Sequence, residues 1–377
     1  MSPSSYDVIV LGLGGMGSAA AFELARRGRR VLGLEQFALG HDRGSSHGQT
    51  RIIRQAYFEH PDYVPLLRRA YERWYELEQL QGQHLFTECG GLNIGLPEGE
   101  LIAGVRRSAA EHRLPVEELS ASELRRRFPQ FQFDDRYVGV LERNAGFLYV
   151  EQCVLAHVAA ASAAGADLRP EEPALSWEID GQGVIVTTKQ QQYRASRLVV
   201  TAGSWAGSML RDLGLPLTVR RKVLLWYGTA HDARFRRNVF PIYMAETPAG
   251  FYYGFPLLDG HGHKVARHDG GDIVTDPLTV NRTVTPADEA DCRQFLAAHL
   301  PAVSGPLRDS RVCLYTLTPD SHFIIDVHPQ HPQVALAAGF SGHGFKFASV
   351  VGEILADLAD HGRTELPIGM FQLNRFA

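Results

Sequence analysis

The pattern Gly12-x-Gly14-x-x-Gly17 constrains this chain more than any other feature. An apolar β-type run, YDVIVLG, leads into it, and GGMGSAAAFELARRG continues with small residues and then helical spacing. A second strand-like run, RRVLGLE, ends at Glu35, 18 residues after Gly17. Strand, glycine turn, helix and strand predict a βαβ unit. In that setting each glycine has its own task. Gly12 permits the tight turn, Gly14 lets a pyrophosphate approach the backbone, and Gly17 lets helix and strand pack closely. The helix N-terminus offers free N–H groups to phosphate. Glu35 is placed to accept hydrogen bonds from a ribose, and its charge argues against a 2′-phosphate there. A Rossmann-type dinucleotide site follows; the motif leaves open which dinucleotide.

The chain has 377 residues, 45% of them hydrophobic, more than a single core usually uses. Net charge is −4, with no long run of one sign, so neither nucleic acid nor an anionic membrane is expected as a partner. MSPSSYDVIVLGLGG carries no basic leader and no stretch is long and apolar enough to span a bilayer. A cytoplasmic location is the expectation. The four cysteines, Cys89, Cys153, Cys292 and Cys313, are far apart, and free thiols are expected.

Several later segments carry organisation. RLVVTAGSWAGSMLRDLGL, from Arg197, reads as a strand, a Thr201-Ala202-Gly203 turn and a helix; similar strand ends occur in flavoproteins with N-terminal dinucleotide folds. GHDRGSSHGQTRIIRQAY holds His47, Arg51 and Arg54 directly after the dinucleotide unit. The two arginines share a face if the segment is helical and oppose if it is extended. They suit carboxylate or phosphate recognition, or are solvated loop residues. PDYVPLLRRAYERWYELEQL has an apolar stripe at Val64, Leu67, Ala70, Tyr71, Trp74 and Leu77, which predicts an amphipathic helix. Ser120 with Glu123 marks a capping box, and Thr285 with Pro286 a second helix start.

From Phe86 to Arg143 the α/β rhythm lapses. From Leu217 to Leu317 short strand-like runs dominate: VRRKVLLWYG, FYYGFPL, HKVARHD and RVCLYTL. The fold class is therefore α/β with an α+β insert. A cofactor domain is expected from 1–85, 145–216 and 318–377, and an inserted sheet-rich substrate domain from 86–144 and 217–317. On a strand, Lys264 and His268 of HKVARHD face one side. VALAAGFSGHGFKFASVVGEILADLA closes the chain with a strand, a turn carrying Gly339, Gly342 and Gly344, and a helix. Lys346 is read just inside that helix start, where a cation opposes the dipole unless an anion is also present. His261 and His263 lack a third ligand in register, and no metal is expected. Neither a G-x-S-x-G elbow nor a glycosidase-type carboxylate pair stands out. Cys313, in RVCLYTLTPDSHFIID, is either a small buried hydrophobe or a thiol with a chemical task.

Taken together, the segments resemble the monomeric sarcosine oxidase and N-methyltryptophan oxidase family of FAD-dependent amine oxidases, across nearly the whole chain. YDVIVLGLGGMGSAAA, GSSHGQTRIIRQAY, YVPLLRRA, YYGFP, FIID and SGHGFKFASVVGE carry the resemblance, the last most specifically. KVLLWY and RHDGG look closer to the N-methyltryptophan branch. Ser46 before His47, and Gln49 in place of an acid, depart from the family pattern and bear on substrate preference. The resemblance implies FAD joined by a thioether from Cys313. It implies Arg54 and Lys346 gripping a substrate carboxylate, and Arg51 by the flavin ring with His47 nearby. Tyr253, His268 and Met244 would shape the substrate cavity, and Lys264, on the opposite ring face, would activate dioxygen. Implied cofactor contacts are Gly12, Gly14, Gly17, Glu35, Thr50, Arg51, Gly203, Gly342, His343, Gly344 and Lys346. The expected activity is oxidation of an N-methyl amino acid, N-methyl-L-tryptophan-like, by O2 in a monomeric enzyme. Alternatives are sarcosine or cyclic imino acid oxidation, a flavin dehydrogenase, and a flavin-binding protein without turnover.

Overall fold

The computed structural model describes residues 5–230, 232–258 and 260–376 and arranges them around three sheets. Residues 1–4, part of the stretch inspected for a leader, lie outside the described residues. In the first sheet, Asp167–Arg169, Val31–Leu34, Ser5–Leu11, Gln192–Val200 and Val334–Ala338 lie parallel in that order. The hairpin Ala174–Asp180 and Gly183–Thr188 extends it, and Ile324–Val327 pairs antiparallel with Val334–Ala338. Parallel strands covered on both faces need near-continuous apolar runs. Val31–Leu34 and Val334–Ala338 are buried at every position. Along Ser5–Leu11, Val8 and Val10 enter one core while Ile9 and Leu11 enter another, as the two-residue period requires.

Helices Gly15–Arg26, Val150–Ala163 and Ala348–His361 cover the first of those faces. Ile354 and Leu355 are fully buried there, each worth about 1.5–3 kcal/mol of burial. Helices Gly15–Arg26 and Ala348–His361 approach closely at Gly352, whose missing Cβ would fall 2.6 Å from Ala19. Because the central strands are parallel, Leu11, Leu34, Val200 and Ala338 all end at one edge. Open α/β sheets bind ligands at that edge.

The second, nine-stranded sheet takes Gly91–Gly95, Val116–Leu119 and Val138–Glu142 together with six strands between Thr218 and Leu317. The four predicted runs become Thr218–Tyr227, Gly250–Gly254, His263–Arg267 and Leu307–Leu317. Alternation sorts their side chains. Leu225, Tyr227, Tyr243, Tyr252 and Val265 pack under helix Pro286–His299, while Leu224, Trp226, Met244, Tyr253 and Cys313 face inward to the shared core. A three-stranded sheet, Thr50–Ile53, Gly146–Tyr149 and Phe86–Glu88, lies between.

Helix Tyr63–Gln81 buries all six residues of its predicted stripe and stops at left-handed Gly82. The Ser120–Glu123 capping box forms, and helix Pro286–His299 starts after Thr285 as expected, with the Asp288 carboxylate accepting from the Thr285 N–H as an addition. Two expectations change. The helix after the Thr201-Ala202-Gly203 turn shrinks to Ala206–Met209 between 3₁₀ turns, consistent with the weak helix formers Gly203, Ser204, Gly207 and Ser208. Lys346 lies in a 3₁₀ turn, Phe345–Phe347, ahead of the α-helix rather than inside it. Among the described residues no helix is long and apolar enough to cross a membrane.

Candidate active site

One cavity, about 1830 Å³ including its mouth, runs from the C-terminal edge of the parallel sheet to the inner face of the nine-stranded sheet. Gly12, Gly14, Glu35 and Gly203 line one end. Arg51, Arg54, Met244, Tyr253, His268, Gly342, His343, Gly344 and Lys346 line the other.

At the first end the wall is largely backbone. Gly12 has φ +88°, and a Cβ on it would fall 2.6 Å from the Thr201 carbonyl oxygen. A Cβ on Gly17 would fall 1.8 Å from the Gly12 carbonyl oxygen, so Gly17 acts behind the wall by letting the helix close on the turn. Gly14 has only Ser46 Oγ near its missing side chain, at 3.6 Å, which leaves its backbone open to a ligand. Ser46 Oγ accepts from the Gly15 N–H at 3.0 Å. The Glu35 carboxylate accepts from Leu13 N–H (2.8 Å) and Phe37 N–H (3.1 Å). Each of its oxygens keeps capacity for a further donor, such as a ribose hydroxyl. This donor and acceptor set fits the adenosine diphosphate half of FAD.

The other end is made of side chains. Residues Thr50–Ile53 are extended, so the arginines follow the opposed arrangement; both still reach the cavity because Arg54 lies just past the strand end. Arg51 donates to the Thr50 and Ser45 carbonyls, each at 2.8 Å, and its Nη2 is 3.3 Å from Cys313 Sγ. Arg54 Nη2 donates to both Glu59 oxygens at 2.9 and 3.1 Å, and its guanidinium lies over the Tyr57 ring. Its buried Nε has no partner. Lys346 Nζ donates to the His343 carbonyl at 2.6 Å and to Tyr57 Oη at 3.4 Å. His343 Nε2–H donates to the Ser321 carbonyl at 2.9 Å, which assigns Nδ1 as the acceptor of the Tyr57 hydroxyl at 2.5 Å.

Charge accumulates here. Burial, then the Arg54 charge, pushes Lys346 down to about 7. Burial pushes the Glu59 carboxyl up, but Arg54, His343 and Lys346 outweigh it and hold Glu59 at about 2. Burial drives His268 down to about 3, helped by His343, which leaves it neutral at ordinary pH. At this end of the cavity wall Arg51, Arg54 and Lys346 thus stand against one carboxylate, Glu59, an arrangement that favours an incoming anion.

Thr50, His47, Lys264 and Cys313 lie behind the wall rather than on it. Lys264 Nζ donates to the carbonyls of Gly48 (2.5 Å) and Thr50 (2.8 Å), beside the Phe255 and Trp226 rings. Burial, and then Arg51, lowers it well below an ordinary lysine. His268 falls one residue beyond the His263–Arg267 strand and lines the cavity, whereas Lys264 does not. His47 Nε2 bonds the Gly44 carbonyl at 3.1 Å, its Nδ1 is unpartnered, and burial pushes it to about 3. Cys313 is fully buried, two residues along its strand from the cavity-lining Tyr315. Burial raises Cys89 and Cys292 to about 12, as expected of inert core thiols.

Three residues escaped the sequence reading. Glu59 is five residues from Arg54, a spacing that no local rule pairs. Tyr57 only closes the segment GHDRGSSHGQTRIIRQAY and drew no reading of its own. Tyr315 is two residues past Cys313, and strand alternation would have put the two on one face. Gln49 is left-handed at φ 72°, its backbone N–H and that of Gly48 donate to the Glu151 carboxylate, and its Oε1 accepts from Trp226 Nε1–H at 3.0 Å. Away from the cavity, Asp212, His328 and His331 bring ligand atoms within 4.8 Å. His328 Nδ1 accepts from Gln330 N–H, which leaves the proton on Nε2 facing Asp212; this is a hydrogen-bonded pair, not a metal-ready imidazole.

Comparison with known proteins defines the class. The family of FAD dependent oxidoreductases matches residues 7–358. The chain belongs to that family and, within it, to the flavin-dependent amine oxidases. It is similar to monomeric sarcosine oxidase of Streptomyces avermitilis, at 47% identity over 100% of this chain and 99% of that one. N-methyl-L-tryptophan oxidase of Citrobacter koseri is 36% identical over 98% of this chain and 99% of that protein. Among solved structures, NikD, described as an unusual amino acid oxidase essential for nikkomycin biosynthesis, superposes with TM-score 0.85 at 28% identity, covering 98% and 97% of the two chains.

Proposed function

We propose that this enzyme oxidises small N-methyl amino acids, sarcosine foremost, with O2 and water to the amino acid, formaldehyde and hydrogen peroxide. The observation that carries the reading is the buried Arg54–Glu59–Lys346 cluster on the cavity wall, a net positive seat for a carboxylate beside neutral His268 and the Tyr253 hydroxyl. The 47% identity to a monomeric sarcosine oxidase, against 36% to an N-methyl-L-tryptophan oxidase, supports the smaller substrate over the tryptophan-like preference expected from KVLLWY and RHDGG. The relative's name also supports a monomer.

The chemistry supplied by FAD, when bound, is acceptance of two electrons from the carbon beside the amine and their delivery to O2. Gly12, Gly14, Glu35 and Gly203 would hold its adenosine end, with Arg51, Gly342, His343 and Gly344 nearer the ring. Cys313 would tether it through a thioether, its Sγ beside the Arg51 guanidinium. Arg54 and Lys346 bind the substrate carboxylate. Their charge also lowers the pKa of a neighbouring ammonium, so the amine loses its proton and its lone pair becomes available. Arg51 presents positive charge where negative charge develops, and Lys264, behind the wall, adds to it in its protonated form.

Acid precipitation and product analysis test the reading together. The yellow colour is expected in the pellet, and sarcosine is expected to yield peroxide and formaldehyde in equal amounts. Colour left in the supernatant would reject the tether; no peroxide across a panel of N-methyl amino acids would reject the activity.

A further inference from the structure

Lys222 has no part in the chemistry above. It is buried, 5% exposed, and does not touch the cavity. It stands opposite Cys313 where strands Thr218–Tyr227 and Leu307–Leu317 pair. Its Nζ donates to the carbonyls of Asp269 at 2.5 Å and Gly270 at 3.3 Å. The same ammonium lies 5.3 Å from the centre of the Tyr315 ring. These contacts reach both members of one packed ring pair. Asp269 follows His268, and the His268 and Tyr315 rings, both on the cavity wall, stand with centroids 5.7 Å apart.

The surrounding backbone is shaped to keep this contact. Gly270 and Gly271 are both left-handed, with φ 67° and 93°. A Cβ on Gly271 would fall 2.5 Å from the Arg221 carbonyl oxygen and 3.0 Å from Lys222 Cδ. Tyr315 is confined on another side, where a Cβ on Gly342 would fall 2.2 Å from its ring. An ammonium buried against carbonyls and a ring, with no carboxylate hydrogen-bonded to it, is costly to the fold. Here that cost fixes two packed rings of the cavity wall.

We propose that Lys222 is a positioning residue that holds the packed His268–Tyr315 ring pair in place on the cavity wall, and so limits the bulk of the acid admitted beside it. The inference rests on the function proposed above for the identity of the substrate, though not for the placement of the rings. The test titrates flavin-loaded enzyme with acetate and with indole-3-acetate, following the flavin spectrum. K222M is expected to shift the ratio of the two dissociation constants about tenfold in favour of the bulkier acid. G271A moves the same turn while keeping the ammonium, should shift the ratio in the same direction, and serves where K222M does not accumulate as flavin-loaded protein. Equal changes in both constants, an unchanged ratio in the variants, or failure of the wild type to bind either acid overturns the proposal. Peroxide production from sarcosine is measured alongside. Its absence from the wild type, with the ratio shift retained, would reject the substrate reading and leave the role of Lys222 standing.

Discussion

At the cofactor end of the cavity the wall is backbone: Gly12 and Gly14 expose main chain, and Glu35 is held by two amides. At the substrate end it is side chain, with Arg54, Met244, Tyr253, His268 and Lys346 arriving from four separate stretches of sequence. The turn behind the backbone wall is closed at Gly12 and Gly17 and tolerates no added atoms there. Side-chain walls tolerate substitution but lose charge and shape when changed. The first end should therefore fail by not forming, and the second by forming and working poorly.

The largest effect is expected from Gly17→Val, because even a Cβ there would overlap the Gly12 carbonyl. Flavin-loaded soluble protein should be lost; normal visible flavin absorbance in G17V would break the contrast between the two ends. Arg54→Ala should still bind flavin. Its kcat/KM for sarcosine should fall about 10²–10³-fold, since the change also strands the buried Glu59 carboxylate. Unaltered acetate affinity in that variant would remove Arg54 from the carboxylate seat. Lys264→Met should slow reoxidation by O2 about 10²-fold while anaerobic flavin reduction stays within about threefold. Equal losses in both half-reactions would reject its assigned task.

The smallest effect is a pH dependence. Lys346 sits at about 7, and only its protonated form attracts a carboxylate. Acetate affinity should therefore fall as pH rises through about 7, by at most about tenfold per pH unit. Bound acetate favours the ammonium and moves the limb upward. Acetate suits the experiment because it has no amine whose own titration runs the opposite way. K346M should flatten the profile, and an unchanged profile in K346M would assign the titration to another group.

The same contrast explains what the sequence made legible. Glycine spacing, apolar periodicity and caps are local, so the βαβ unit, the Tyr63–Gln81 helix, the Ser120–Glu123 capping box and the helix start at Thr285-Pro286 were readable directly. The substrate end depends on contacts between distant segments. Tyr57 meets His343, 286 positions away, and Lys264 meets Gly48 across 216 positions; no spacing rule encodes either. Family resemblance supplied most of those residues. It did not supply Glu59, which shares Arg54 and changes the charge of the seat. Nor did the arginine spacing foretell that a strand ending at Ile53, just before Arg54, would bring both side chains to one cavity.

Anaerobic mixing of the flavin-loaded enzyme with sarcosine tests the central claim most directly. The visible flavin absorbance should bleach, then return on admission of O2 with one peroxide released per flavin. A spectrum that stays oxidised with sarcosine and with other N-methyl amino acids would contradict the assignment of this cavity to amine oxidation.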